Sequence, residues 1–201
     1  SDLDKVLRLM SLNMISPYNF YSAFLSYEFV TKLFRKLHHL IDKKYMNDID
    51  TFNLFMKEVK ETIDFKKISN DPIEQIKRSI FHKNNFEAID TIDEDILFYD
   101  NHINIICNRL SKFIDDKKDC IKVSDGKDGE WFLYCTKRRA NIFKQKINNL
   151  ANNNILIKDN NEILYTLKKD DFSYKIKDGN NVIIQFKLMS DISKKKYDLY
   201  K

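Results

Sequence analysis

The sequence predicts an α+β fold, in which an all-α region is followed by a small antiparallel β-rich domain, and three coincident changes near residue 118 carry that prediction. Apolar residues spaced by threes and fours give way to apolar residues in strict alternation, the switch from helical to strand period. Both prolines, Pro17 and Pro72, precede that point, and all three glycines, Gly126, Gly129 and Gly179, follow it. Charge divides at the same place: residues 1–118 hold 18 Lys+Arg against 19 Asp+Glu, a net of −1, whereas residues 119–201 hold 17 against 11, a net of +6. The expected organisation is a helical domain over 1–118, a β-rich domain over 119–190 and a further helix beginning at 191.

Asp2 to Met10 reads as a short helix. Ser16-Pro17 then supplies a cap followed by proline at the first helical position, where its missing N–H costs nothing. From there Phe20, Phe24, Tyr27, Val30, Leu33, Phe34, Leu37 and Ile41 hold helical spacing, and His38 and His39 at the basic end have no third ligand at metal spacing. Ile49, Phe52, Phe55, Met56, Val59 and Ile63 repeat the pattern. Asp71-Pro72 is expected to open a short helix through Ile73, Ile76 and Ile80, with a turn at Asn84-Asn85. Thr91 with Glu94 forms a capping-box pattern, so the next helix is expected to begin after Thr91. Its apolar positions Ile92, Ile96, Tyr99, Ile103, Ile106, Leu110 and Phe113 make one heptad seam. The acidic cluster Asp90, Asp93, Glu94 and Asp95 is explained by the helix dipole and not by a cation site.

Beyond residue 118, Ile121 and Val123 alternate with polar neighbours, and Trp131 to Tyr134 form an apolar run. The strongest hairpin signal is Phe172, Tyr174 and Ile176 leading into Asp178-Gly179, with Val182, Ile184, Phe186 and Leu188 leading away. A second hairpin is expected from Ile155-Ile157 and Ile163-Tyr165-Leu167 around Asn160-Asn161. Between them Ile142, Phe143, Ile147 and Leu150 share one face of a helix over 137–150, whose opposite face carries Lys137, Asn141, Lys144 and Asn148. The pattern turns helical again from Asp191.

With 43% hydrophobic and 32% charged residues the chain has the composition of a folded protein. No apolar run approaches the length of a membrane span, and the first residues lack a signal-peptide pattern, so an intracellular protein is expected. Three cysteines, Cys107, Cys120 and Cys135, read as reduced, buried thiols. Phosphate-loop, dinucleotide-fingerprint, zinc-protease and serine-elbow patterns are all missing, and no catalytic residues or metal ligands are assigned.

Three stretches resemble a known family. LRLMSLNMISPYNFYSAFLSYEFVTKLF, residues 7–34, resembles the start of the core, or lever, domain of MutS-type DNA mismatch-recognition ATPases, where a leucine-rich segment meets a proline-led helix carrying a small residue, here Ser26. NNFEAIDTIDEDILFYDNHINIICNRLSKFI resembles the approach to that family's long lever helix. IKVSDGKDGEWFLYCTKRRANIF is similar to its clamp segment, in which Lys122, Gly129, Trp131 to Tyr134 and Thr136-Lys137 match a lysine-bearing strand, a short loop, an aromatic strand and a terminal Thr-Lys.

The resemblance implies a lever and clamp that grip the duplex DNA backbone non-specifically and couple it to an ATPase, with its ATP and Mg, that is not in this chain. It also implies a dimer formed through that ATPase, no enzymatic activity in these residues and a hinge between lever and clamp near residue 118. Candidate DNA-binding residues are Lys137, Arg138 and Lys144 on the polar face of the 137–150 helix, with Lys168 and Lys169 beyond Leu167. The 29 Lys against 6 Arg fit a compositional bias, so each lysine counts for little alone. Trp131, Phe132 and Tyr134 invite a base-stacking reading, but alternation sends at least half of that run into a core. The competing reading is a helical and β protein-interaction module that binds no nucleic acid.

Overall fold

The structure, a computed structural model, describes residues 2–40, 46–70, 78–116, 119–126 and 130–201. The helix expected from Asp71 through Ile76, the positions of Ile41 and Gly129 and the His38 side chain lie outside the described residues. The fold is α+β, with helices preceding a β-rich region, and the chain divides into two compact units, Ser1–Asp93 and Glu94–Lys201.

In the first unit, helices α1 (Leu3–Ser11), α2 (Pro17–Leu37), α3 (Met46–Thr62) and α4 (Phe65–Asn70) precede α5 (Glu87–Lys112). Asp2 caps α1 by accepting from the Lys5 amide at 3.1 Å, and Ser16 Oγ accepts from the Asn19 amide at 3.2 Å where the Ser-Pro pair foretold a start. Phe65 gathers the rings of Phe20, Tyr21 and Phe24, whose centroids lie 6.3, 5.5 and 4.2 Å from its own. Tyr27 meets Phe52 edge-on at 5.3 Å. Leu33, Phe34 and Leu37 continue the same spacing but are exposed. Ile80 is not helical: its carbonyl accepts from the Asp64 amide at 2.8 Å, beside a bridge between Ile63 and Phe81.

Helix α5 begins at Glu87, ahead of Thr91, so the capping box does not form; Thr91 Oγ1 donates to the Glu87 carbonyl at 2.9 Å. Two of the acidic residues instead hold the incoming loop. Asp90 accepts from the Asn84 amide at 2.7 Å and Asp93 from the Ser79 amide at 3.0 Å. The units divide inside this helix and not near residue 118. The cause is the heptad seam: Ile103, Ile106, Cys107 and Leu110 are buried in one core with Leu133, Cys135 and Ile184 of the strands. From Tyr99 to Phe113 the seam is an internal packing surface of the β-bearing unit, whereas Ile92 at its start is exposed.

That unit continues through β1 (Lys122–Asp125), β2 (Trp131–Thr136), α6 (Lys137–Asn148), β3 (Asn154–Asp159), β4 (Glu162–Lys168), β5 (Ser173–Ile176), β6 (Asn181–Gln185) and α7 (Lys187–Asp198). An antiparallel sheet runs in the order β1-β2-β6-β5, and β3-β4 forms a separate hairpin. The β3-β4 turn places Asn160 and Asn161 at φ 44 and 71, a left-handed pair that asparagine tolerates. Leu188, expected in a strand, lies in α7, which starts at Lys187 and not at Asp191; its Met189 and Ile192 join the common core.

Candidate nucleic-acid interface

Alternation fixes two faces on the four-stranded sheet. Val123, Trp131, Leu133, Cys135, Tyr174, Val182 and Ile184 face the core, packed under α5, α6, α7 and the β3-β4 hairpin residues. Registered neighbours on the other face are Lys122, Tyr134, Ile183 and Lys175, in line across β1, β2, β6 and β5. Phe132, Ser124, Gln185, Ser173, Thr136 and Asn181 share that second face by parity. None of these residues belongs to the core cluster.

Helix α6 follows β2 directly because Thr136, in extended backbone, caps it: its hydroxyl accepts from the Arg139 amide at 3.4 Å. Ala140, Phe143 and Ile147 bury one stripe of this helix, which leaves Lys137, Asn141, Lys144 and Asn148 in a row on another. Its first turn holds no carboxylate but holds Lys137, Arg138 and Arg139. Cations there oppose the helix dipole, so three of them together favour an external anion. Arg139 is partly tied down, donating from a guanidinium nitrogen to the Cys120 carbonyl at 3.5 Å. Lys137 and Arg138 have exposed side chains; the Lys137 amide donates to the Asn180 carbonyl at 2.9 Å, which sets this helix start beside the β5-β6 turn.

The other candidates are placed differently. Lys144 is half-buried, with its ammonium 4.1 Å from the Tyr174 ring centroid. Lys168 is exposed at the end of β4. Lys169 closes the far end of α6, donating to the carbonyls of Asn148, at 3.4 Å, and Leu150. Lys137 and Arg138 therefore lie at one end of a 12-residue helix and Lys169 at the other, about 18 Å of rise apart.

Trp131 is no stacking platform. It packs on the core side with Tyr200 at 5.7 Å and has the Lys196 ammonium 3.7 Å from its ring. Lys196 itself is buried and paired with Asp100 at 2.5 Å. Phe132 and Tyr134 are half-buried on the opposite face, where the Lys177 ammonium lies 5.0 and 3.8 Å from their rings. Lys175 and Lys177 were not singled out from the sequence; their signal is that they alternate out of phase with Tyr174 and Ile176.

Cys107 and Cys135 are unsuited to nucleophilic chemistry at neutral pH. Burial, aided by nearby Asp119, pushes the Cys107 thiol up to about 11. Burial also pushes Cys135 up to about 11 against the lowering influence of Arg139, and Tyr174 up to about 12. Cys107 donates to the Ile121 carbonyl at 3.2 Å while Ser111 Oγ accepts from the Ile121 amide at 2.9 Å, which pins the entry to β1 onto α5. Among the described residues no cluster of His, Cys, Asp and Glu could hold a metal ion, and no helix is long and apolar enough to cross a membrane. A cavity of about 260 Å³ lies between α2 and α3, and Thr31, Asn53 and Lys57 are in its lining.

No family model matches the chain, and no curated protein matches it.

Proposed function

We propose that this chain is the lever-and-clamp portion of a MutS-like DNA mismatch repair protein, in which the β-bearing unit grips the duplex DNA backbone without reading bases. The observation that carries the reading is where the charge lies. Residues 1–93 hold 14 Lys+Arg and 14 Asp+Glu, whereas residues 94–201 hold 21 and 16, so the whole formal excess of +5 falls in the β-bearing unit. Phosphate contacts need exposed cations and no base-reading groups; Lys137 and Arg138 offer them at the start of α6, with Lys144 along that helix and Lys168 exposed at the end of β4. The resemblance of residues 7–34, 84–114 and 121–143 to the family's segments, in the family's order, supplies the rest.

In this reading a separate ATPase, with ATP and Mg, drives the clamp and carries the dimer contact, and the protein works inside the cell. Because the two units divide within α5 and not in a loop, that helix is the coupling element.

Titrating the chain with duplex DNA at several salt concentrations tests the reading. Binding should weaken steeply with salt, and replacing Lys137, Arg138, Lys144 and Lys168 by Gln together should flatten the slope of log K against log salt by about 0.9 per lost contact. A chain that fails to bind duplex at low salt, or a fourfold variant with an unchanged slope, contradicts it.

A further inference from the structure

The second face of the four-stranded sheet does not look like a merely solvated surface. Sheets with one packed face carry polar residues on the other, yet here the two central strands place Phe132, Tyr134 and Ile183 there. The two rings contact each other edge-on with centroids 6.4 Å apart. One registered row reads Lys122, Tyr134, Ile183, Lys175 from edge to edge. Strand spacing makes that row about 14 Å wide, with a cation at each end and the apolar pair between. Lys177, the next residue of the same parity after β5, has its ammonium over both rings. The remaining positions on this face are Ser124, Thr136, Ser173, Asn181 and Gln185, so the strands present no carboxylate on it. Among the described residues no ion pair is formed by Lys122 or Lys175.

From this arrangement we infer that the open sheet face binds single-stranded nucleic acid, with unpaired bases stacked on Phe132 and Tyr134 and the phosphates met by Lys122, Lys175 and Lys177. The chemistry is complementary in each part. An aromatic ring offers a flat apolar surface that every base can stack on, and lysines flanking it supply the charge that a polyanion needs. Lys177 already occupies the ring faces by cation–π contact, so a base entering there displaces an ammonium that can turn to a phosphate. A duplex is the wrong partner for this surface, because its bases are stacked on one another and present only edges and backbone. Neither stacking nor phosphate contact involves the sugar, so DNA and RNA strands both fit. The inference stands on the sheet alone and does not depend on the clamp reading.

The test is fluorescence anisotropy of the whole chain with labelled oligothymidylate, oligouridylate and a blunt duplex. Phe132→Leu with Tyr134→Leu keeps apolar side chains on the strand and removes both rings. This pair should weaken single-strand binding by about tenfold or more per ring and leave duplex binding unchanged. A second variant, Lys175→Glu with Gln185→Glu, alters only exposed positions and should also abolish single-strand binding while the thermal melt stays that of the parent. Single strands that bind equally well to the parent and to either folded variant, or that do not bind the parent at low salt, overturn the inference. Loss of duplex binding in the α6 variants with retention of single-strand binding would separate this surface from the duplex grip.

Discussion

Only Val6, Ala23, Phe24, Met56 and Ile68 of the buried apolar side chains belong to the helical unit; the β-bearing unit holds all the others among the described residues. Helix α2 shows why. It packs Phe20, Phe24 and Tyr27 against aromatic rings from α3 and α4, yet it also leaves Tyr18, Leu25, Phe29, Leu33 and Leu37 exposed at helical spacing on another side. An apolar stripe therefore does not guarantee a packed one. In the β-bearing unit three helices and a hairpin close on one sheet face, and burial there is complete at Phe143, Leu110 and Ile184. Charge follows the same division, neutral in one unit and positive in the other.

The largest effect should come from truncating the denser core. Phe143, which meets Phe113 and Phe172 edge-on at 6.3 and 5.6 Å, should cost about 4–5 kcal/mol as Phe143→Ala. Phe24→Ala in the helical unit should cost less, about 3 kcal/mol, because its looser surroundings can relax. Urea denaturation of the two variants measures the difference, and equal losses would remove the contrast between the units.

Alkaline pH separates the units next. Cys107, Cys135 and Tyr174 stay protonated in the folded protein and have raised values, the thiols about 11 and the phenol about 12. An unfolded thiol ionises near 9, so the folded state holds more protons above that point and stability falls as pH rises from about 9 to 11, with Tyr174 adding a loss between about 10 and 12. Each thiol should account for about 2 kcal/mol of that loss at its upper end. Denaturation curves across this range check it, and Cys107→Ala with Cys135→Ala should flatten the decline. Replacing Lys196 by Ala should cost about 2–3 kcal/mol, below the usual cost of breaking a buried pair because Asp100 is 37% exposed and can be rehydrated. Lys196→Met, which keeps the packing stem over Trp131, should cost less.

The fold class and two of the hairpins, β3-β4 and β5-β6, were legible because their signals are local: Asp178-Gly179, Asn160-Asn161 and the alternation around them. The pairing of β2 with β6 was not, since Leu133 and Ile184 meet across some fifty intervening residues and nothing in either strand names the other. The heptad seam of α5 announced an apolar face without saying what would cover it. For the same reason the boundary expected near 118 falls at 93/94. In the candidate site, exposure of Lys137 and Arg138 followed from the helix face they occupy. Lys169 was indistinguishable from its neighbours until the end of α6 was placed against it. Lys169→Ala should lower stability by about 0.5–1 kcal/mol through the lost carbonyl contacts and leave the salt slope for duplex DNA unchanged, the smallest of the expected effects.

The contrast between a neutral helical unit and a basic β-bearing one is tested most directly by lysine acetylation of the whole chain, read by mass spectrometry with and without nucleic acid. Protection should concentrate at Lys137, Lys144 and Lys168 with duplex and at Lys122, Lys175 and Lys177 with single strands, leaving Lys32, Lys57 and Lys66 of the helical unit as reactive as before. Protection centred on the helical lysines, or spread evenly over both units, would contradict the account.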